Sequence, residues 1–169
     1  TSIPLTVSLP GAGTRTSLGD ETAEGKYPTL WCEGDRVSIA GYFSSEVEAG
    51  KAGSSSVEFG FEDDLTAPFN ILYPATEESA KVTFPSVQDY TEGTFAPGSA
   101  PMWAVSEGFA DVGLKHLTSI LRFSLTGSAS VRYIRVSSRK GIPMSGTFDM
   151  LLDESGRFTG EISPEPGAS

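Results

Sequence analysis

Apolar residues in this chain recur at every second position in short runs, and that period constrains the fold more than any other feature. Ile3, Leu5, Val7 and Leu9 alternate with Ser2, Pro4, Thr6 and Ser8. Successive side chains of a strand point to opposite faces, so such a run lays one face on a core and the other in water. Pro4 has no N–H to give to a ladder, which marks this strand as an edge strand or places Pro4 at its start. The pattern returns in Val37, Ile39 and Phe43 after the turn-like Glu33-Gly34-Asp35, and in Val57, Phe59 and Phe61. Phe69, Ile71 and Tyr73 stop at Pro74, Val82 and Phe84 at Pro85, and Leu121, Phe123 and Leu125 at Gly127. Val131 to Val136 is β-branched and aromatic, Phe148 and Met150 continue the series, and Phe158 and Ile162 close it.

Between the runs stand 19 Gly and 11 Pro, which punctuate them as turns. About ten short strands so separated read as an all-β sandwich or barrel with little helix. Only Ser106 to Leu117 offers a helical turn, and Gly108 and Gly113 weaken it. Ile120 to Leu125 is apolar at nearly every residue. It therefore predicts a central strand buried on both faces, with Leu121, Phe123 and Leu125 turned to the interior. Residues 10–28, 46–56 and 91–101 read as loops, the second as a mobile hairpin tip. Residues 1–163 then form a single domain, and residues 164–169, rich in Pro and Gly, read as a linker or tail that would suit a chain continuing into another domain.

A chain of 169 residues can bury roughly 70% of its unfolded surface, so its core needs no disulfide or metal to close it. The lone cysteine, Cys32, rules out an internal disulfide and reads as a small buried apolar residue. With 12 Lys and Arg against 22 Asp and Glu, the net charge is −10, which disfavours nucleic acid and an anionic membrane surface as partners. No apolar run approaches the roughly 20 residues of a membrane span, and no signal-peptide pattern opens the chain. A start at Thr1 suggests a mature or trimmed chain whose targeting segment is gone.

Nothing in the chain reads as an assembled catalytic site, and the expectation is a protein that is not an enzyme. A Ser-His-Asp triad would have to use His116, the only histidine, which stands at the entry to an apolar run. No G-x-S-x-G elbow occurs. One His and one Cys do not make a typical zinc site. Glu62-Asp63-Asp64 and Asp153-Glu154-Ser155-Gly156 lack the EF-hand spacing and read as solvated turns. Gly11-Ala12-Gly13 lacks the third glycine of a dinucleotide loop, because Thr16 stands there, so it reads as a plain loop. No cofactor and no metal are expected. A carbohydrate-binding face would draw on exposed aromatics, with Trp31, Trp103, Tyr42, Tyr90 and Tyr133 as candidates.

One ordered set of motifs carries more than composition. Thr14-Arg15-Thr16 precedes Trp31 and Gly34-Asp35-Arg36-Val37-Ser38-Ile39, then Tyr73-Pro74-Ala75 and Phe84-Pro85-Ser86-Val87-Gln88. Pro101-Met102-Trp103-Ala104, Leu117-Thr118-Ser119-Ile120-Leu121-Arg122-Phe123 and Gly141-Ile142-Pro143-Met144-Ser145-Gly146-Thr147-Phe148 follow. In this order, over residues 14–150, the chain resembles the N-terminal domain of the fimbrillin-like proteins of Bacteroidales. W-x-x-G-D and L-x-S-I-L-R-F together carry most of the likeness.

The resemblance implies a transthyretin-like antiparallel β-sandwich, half of a two-domain protein whose second domain is absent here. It implies a lipoprotein of the outer membrane or a fimbrial (pilus) subunit at the cell surface, with the lipid-bearing cysteine absent from this chain. Its partners would be other pilin subunits, and a host surface protein or glycan. It also implies processing after an arginine near the N-terminus, for which Arg15 is the candidate. The strand of Ile3, Leu5, Val7 and Leu9 would then leave, and a donor strand from the next subunit would fill the groove. The expected function is therefore assembly and cell adhesion. The alternatives are a glycan-binding module of a polysaccharide-uptake system and an accessory domain of an enzyme.

Overall fold

The computed structural model describes residues 3–9, 17–18, 29–96 and 98–169. Among them are thirteen strands: β1 (Ile3–Ser8), β2 (Ser17–Leu18), β3 (Thr29–Leu30), β4 (Ser38–Ile39), β5 (Tyr42–Phe43), β6 (Ser56–Phe61), β7 (Phe69–Tyr73), β8 (Lys81–Phe84), β9 (Met102–Ser106), β10 (Val112–Gly113), β11 (Lys115–His116), β12 (Gly146–Leu152) and β13 (Phe158–Pro164). One turn of 3₁₀ helix, Ala49–Lys51, is the only helix among the described residues. The protein is all-β, as the alternation requires. Its pairings are antiparallel except for a short parallel contact between β1 and β10.

The strands form a central five-stranded sheet, β11-β9-β7-β4-β5, and two three-stranded sheets, β10-β1-β6 and β13-β12-β8. β2 and β3 make a separate ribbon. Both faces of the central sheet are covered. Phe69, Ile71 and Tyr73 of β7, with Met102 and Ala104 of β9, face a core shared with Leu5, Val7, Phe59 and Phe61. Leu72 of β7, with Trp103 and Val105 of β9, faces a second core shared with Val82, Phe84, Phe148, Met150 and Phe158. The strand period thus divides β7 and β9 between two cores, and the sandwich has three layers.

Polar contacts tie the layers together. The Asn70 side chain on β7 donates to the Gly156 carbonyl at 2.7 Å and accepts from the Phe158 N–H at 3.0 Å, clamping the β12–β13 turn to the central sheet. Gly160 on β13 has a φ of +85° and lies so close to the Trp103 ring that a Cβ there would overlap it. The 32–35 turn is built around Asp35. Its carboxylate accepts from the Cys32 N–H at 2.7 Å and from the Tyr73 hydroxyl at 3.1 Å, while Gly34 takes a φ of +81° that suits glycine. Trp31, beside this turn, is completely buried and meets Phe59 and Tyr73 edge-on at 5.1 and 5.4 Å. The W-x-x-G-D motif therefore anchors a turn to β7.

Three expectations need correction. Leu121, Phe123 and Leu125 are not in the core: they are 63%, 52% and 61% exposed, and residues 117–145 join no strand. The cause is register. β11 pairs Lys115 with Trp103 and His116 with Met102, and Leu117 N–H reaches the Pro101 carbonyl. Continued at that register, residues 120–125 would fall opposite residues 93–98, in the Gly/Pro-rich stretch ahead of β9, where there is no strand to pair with. Val131 to Val136 likewise joins no strand.

Second, Ser106 to Leu117 holds no helical turn; it carries β10 and β11. Third, residues 46–56 are not a free hairpin tip. Val47 is buried and exchanges backbone bonds with Gly34 and Asp35, and Trp31 does so with Gly53 and Ser54. Residues 164–169 turn back on the molecule, with Ser169 bonded to Met144 and Ser145.

Two substitution pairs test this architecture in urea unfolding. Phe59→Ala, in the fully buried core, should cost about 3–5 kcal/mol, whereas Phe123→Ala should cost less than about 1 kcal/mol. Asp35→Ala, which strands the Cys32 N–H and the Tyr73 hydroxyl, should cost about 2 kcal/mol, and Tyr73→Phe about 1 kcal/mol. Equal losses in either pair would mean that the core or the turn has been wrongly placed.

Candidate functional site

The candidate site is β1 and the groove it fills. Its sequence alternates cleanly, and the structure follows: Leu5, Val7 and Leu9 are buried, Thr6 and Ser8 are half-exposed, and Pro4 is exposed. β1 pairs with β6 along its whole length, from Ile3 opposite Phe61 to Ser8 opposite Ser56. On the other side it meets β10 only at Val7 and Ser8, opposite Val112 and Gly113. Residues 3–6 are therefore a sheet edge, and Pro4 sits within it, where a missing N–H costs nothing. Beside β1 in the same sheet stand Val57, Phe59 and Phe61 of β6, and the core they share with it holds Phe69, Ile71 and Tyr73 of β7, Met102 and Ala104 of β9, Trp31 and Leu114.

If β1 departed, β6 would lose its ladder partner and the apolar side chains below would open to water. Fully burying a Leu or Val side chain is worth roughly 1.5–3 kcal/mol, so Leu5 and Val7 make the groove strongly receptive to another strand of like pattern. Arg15, the candidate processing residue, lies outside the described residues.

The remaining candidates do not converge on a site. His116 is half-buried on β11, and burial holds its pKa below the usual histidine value. Among the described residues no three His, Cys, Asp or Glu side chains lie together as metal ligands would. Asp153 spends its carboxylate on the β12–β13 turn. It accepts from the Arg157 and Ser155 backbone N–H groups at 3.0 and 2.8 Å, which hold its pKa below the carboxylate norm. Cys32 is half-buried rather than fully buried, and its N–H serves the Asp35 turn.

The aromatics singled out for a glycan face scatter over the molecule. Trp31 is core. Trp103 is half-buried against the β13 layer, with the Lys115 ammonium 5.1 Å above its ring. Tyr42, Tyr90 and Tyr133 are exposed on β5, in the loop after β8 and in the strandless 117–145 stretch. Two surface cavities of about 140 and 220 Å³ fall below the size usual for small-molecule sites. The first lies between Ile39, Asn70 and Phe158, the second between Pro74, Lys81 and Pro101. No helix among the described residues is long and apolar enough to cross a membrane.

His116 yields a signed pH dependence. With its folded pKa held below the unfolded 6.5, the unfolded chain binds the proton first, so its contribution to stability falls as pH drops through that range. His116→Gln should remove this part of the acid sensitivity, seen as a flatter stability profile between about pH 7 and 5 in urea unfolding. An unchanged profile would mean that carboxylates alone set the acid response.

Comparison with protein-family models, with curated proteins and with solved structures finds no match to this chain.

Proposed function

We propose that this chain is a fimbrillin-like subunit of a cell-surface polymer, acting in assembly and adhesion, and that it assembles by exchanging its first strand. The ordered motifs from Arg15 to Phe148 support the family reading. The observation that carries the assembly step is the state of β1: a strand with Leu5 and Val7 completely buried, yet bonded along its full length to one neighbour only. Such a strand closes the core without being threaded through it. Cleavage after Arg15 frees it from the rest of the chain, and a strand of the same pattern from another subunit takes its place. Processing then converts a closed monomer into a unit that accepts its neighbour. The exported setting follows from the same reading.

Limited trypsin digestion tests the step. Early cleavage after Arg15 is expected, leaving a folded remainder that oligomerises and binds a peptide of residues 1–9. The same peptide with Val7→Asp should bind about a hundredfold more weakly or worse, because it would bury a charge where a methyl pair sat. Resistance of Arg15 until global unfolding, or a cut protein that stays monomeric and ignores the peptide, would defeat the strand-exchange reading.

A further inference from the structure

Charge is divided unevenly along this chain. Six of the 12 Lys and Arg and none of the 22 Asp and Glu fall within residues 112–148, so that stretch carries +6 and the remainder −16. The same region holds ten of the sixteen large hydrophobic residues that are exposed among the described residues, all between Ile120 and Met144. It also contains the two strand-patterned runs, 120–125 and 131–136, that join no ladder. Apolar exposure of this density on a soluble molecule marks a surface that meets a partner.

The sign of the charge selects the partner. Two such segments pairing with each other would bring six cations together, because residues 118–136 hold Arg122, Arg132 and Arg135 and no carboxylate. An acidic surface with an open strand edge is the complement, and the chain itself has one. β5 ends the central sheet, and its Tyr42 and Phe43 are 50% and 39% exposed. The backbone next to that edge runs into acidic stretches of the sequence. Gly41, in the β4–β5 turn, lies against the Glu77 backbone, with Glu78 next in sequence. Ser45, just after β5, bonds Gly60 near the end of β6, and Glu62-Asp63-Asp64 follow.

We propose that the basic, apolar segment of residues 118–136 in one copy of the chain adds to the β5 edge of a second copy. Main-chain bonds to Tyr42 and Phe43 supply the register, aromatic and aliphatic side chains supply the burial, and Arg132 and Arg135 meet carboxylates of the acidic partner. Segment and edge are different surfaces, so the contact is head-to-tail, and each added copy presents a fresh edge. This interface lies apart from the β1 groove, needs no cleavage at Arg15, and goes beyond the strand-exchange reading without resting on it.

Sedimentation of the uncut chain tests it. The wild-type protein should self-associate with rising concentration, and the association should weaken about tenfold or more between low and high salt. Arg132→Glu with Arg135→Glu should abolish association, and so should Tyr42→Lys with Phe43→Lys. All four positions are surface positions, and circular dichroism should show both variants folded. Mixing the two variants should restore a dimer, because one retains an intact edge and the other an intact segment. A wild-type chain that is monomeric at every concentration in low salt, as when the segment closes on its own body or binds only anionic lipid, would overturn the proposal. Association that survives either variant, or a mixture that stays monomeric, would overturn it equally.

Discussion

The structure depends on the double burial of β7 and β9. Each carries apolar residues on both sides of its backbone, and the period of two sends them into two separate cores. A sheet covered on one face only would leave Leu72, Trp103 and Val105 in water. Covering it on both faces requires two further sheets, and those are supplied by strands far away in sequence. The β10-β1-β6 sheet comes from the N-terminal half and the 112–113 segment, and the β13-β12-β8 sheet mainly from the C-terminus. Hydrophobic burial is non-directional, so polar contacts have to set how the layers align. Asn70 does this for one interface, through two hydrogen bonds to the β12–β13 turn. Asp35 does it within the other core, by joining the 32–35 turn to Tyr73.

The surface ion pairs have a smaller part. Arg36 with Glu46 and Arg157 with Glu107 are well exposed, and pairs of that kind contribute little. Asp153 likewise spends its carboxylate on the backbone of its own turn. The abundance of Asp and Glu in this chain is therefore chiefly a matter of its outer field, which becomes a question of partners once the basic 112–148 stretch is set against it. The proposed strand exchange at β1 and the proposed docking at β5 would use the same physical resource, a strand edge beside apolar side chains. In one case the chain's own first strand covers that edge, and in the other Tyr42 and Phe43 stand at the end of the central sheet.

Much of this was legible in the residues. Alternation located β1, β6, β7, β8, β12 and β13, and the proline stops after Tyr73 and Phe84 ended their strands where proline must. The burial of Leu5, Val7 and Leu9 follows from the same period. Charge partition was equally open to inspection, since it needs only the order of residues. The exposure of Phe43 was not, because it continues the alternation of Val37 and Ile39, and only its place at the end of the sheet leaves it in water.

Local pattern by itself determined that this chain is all-β, which residues of each strand face inward, and where the strands stop, because side-chain period and proline sterics act over a few residues. Tertiary structure decided how many layers those strands make, which core each face of β7 and β9 belongs to, and which apolar runs find a partner. Ile120 to Leu125 shows the reason. Its pattern is as strand-like as that of β6, but a strand exists only where a second backbone lies beside it in register. At that register stands the turn-forming stretch before β9, and a pattern read along one segment carries no information about its neighbour across the sheet.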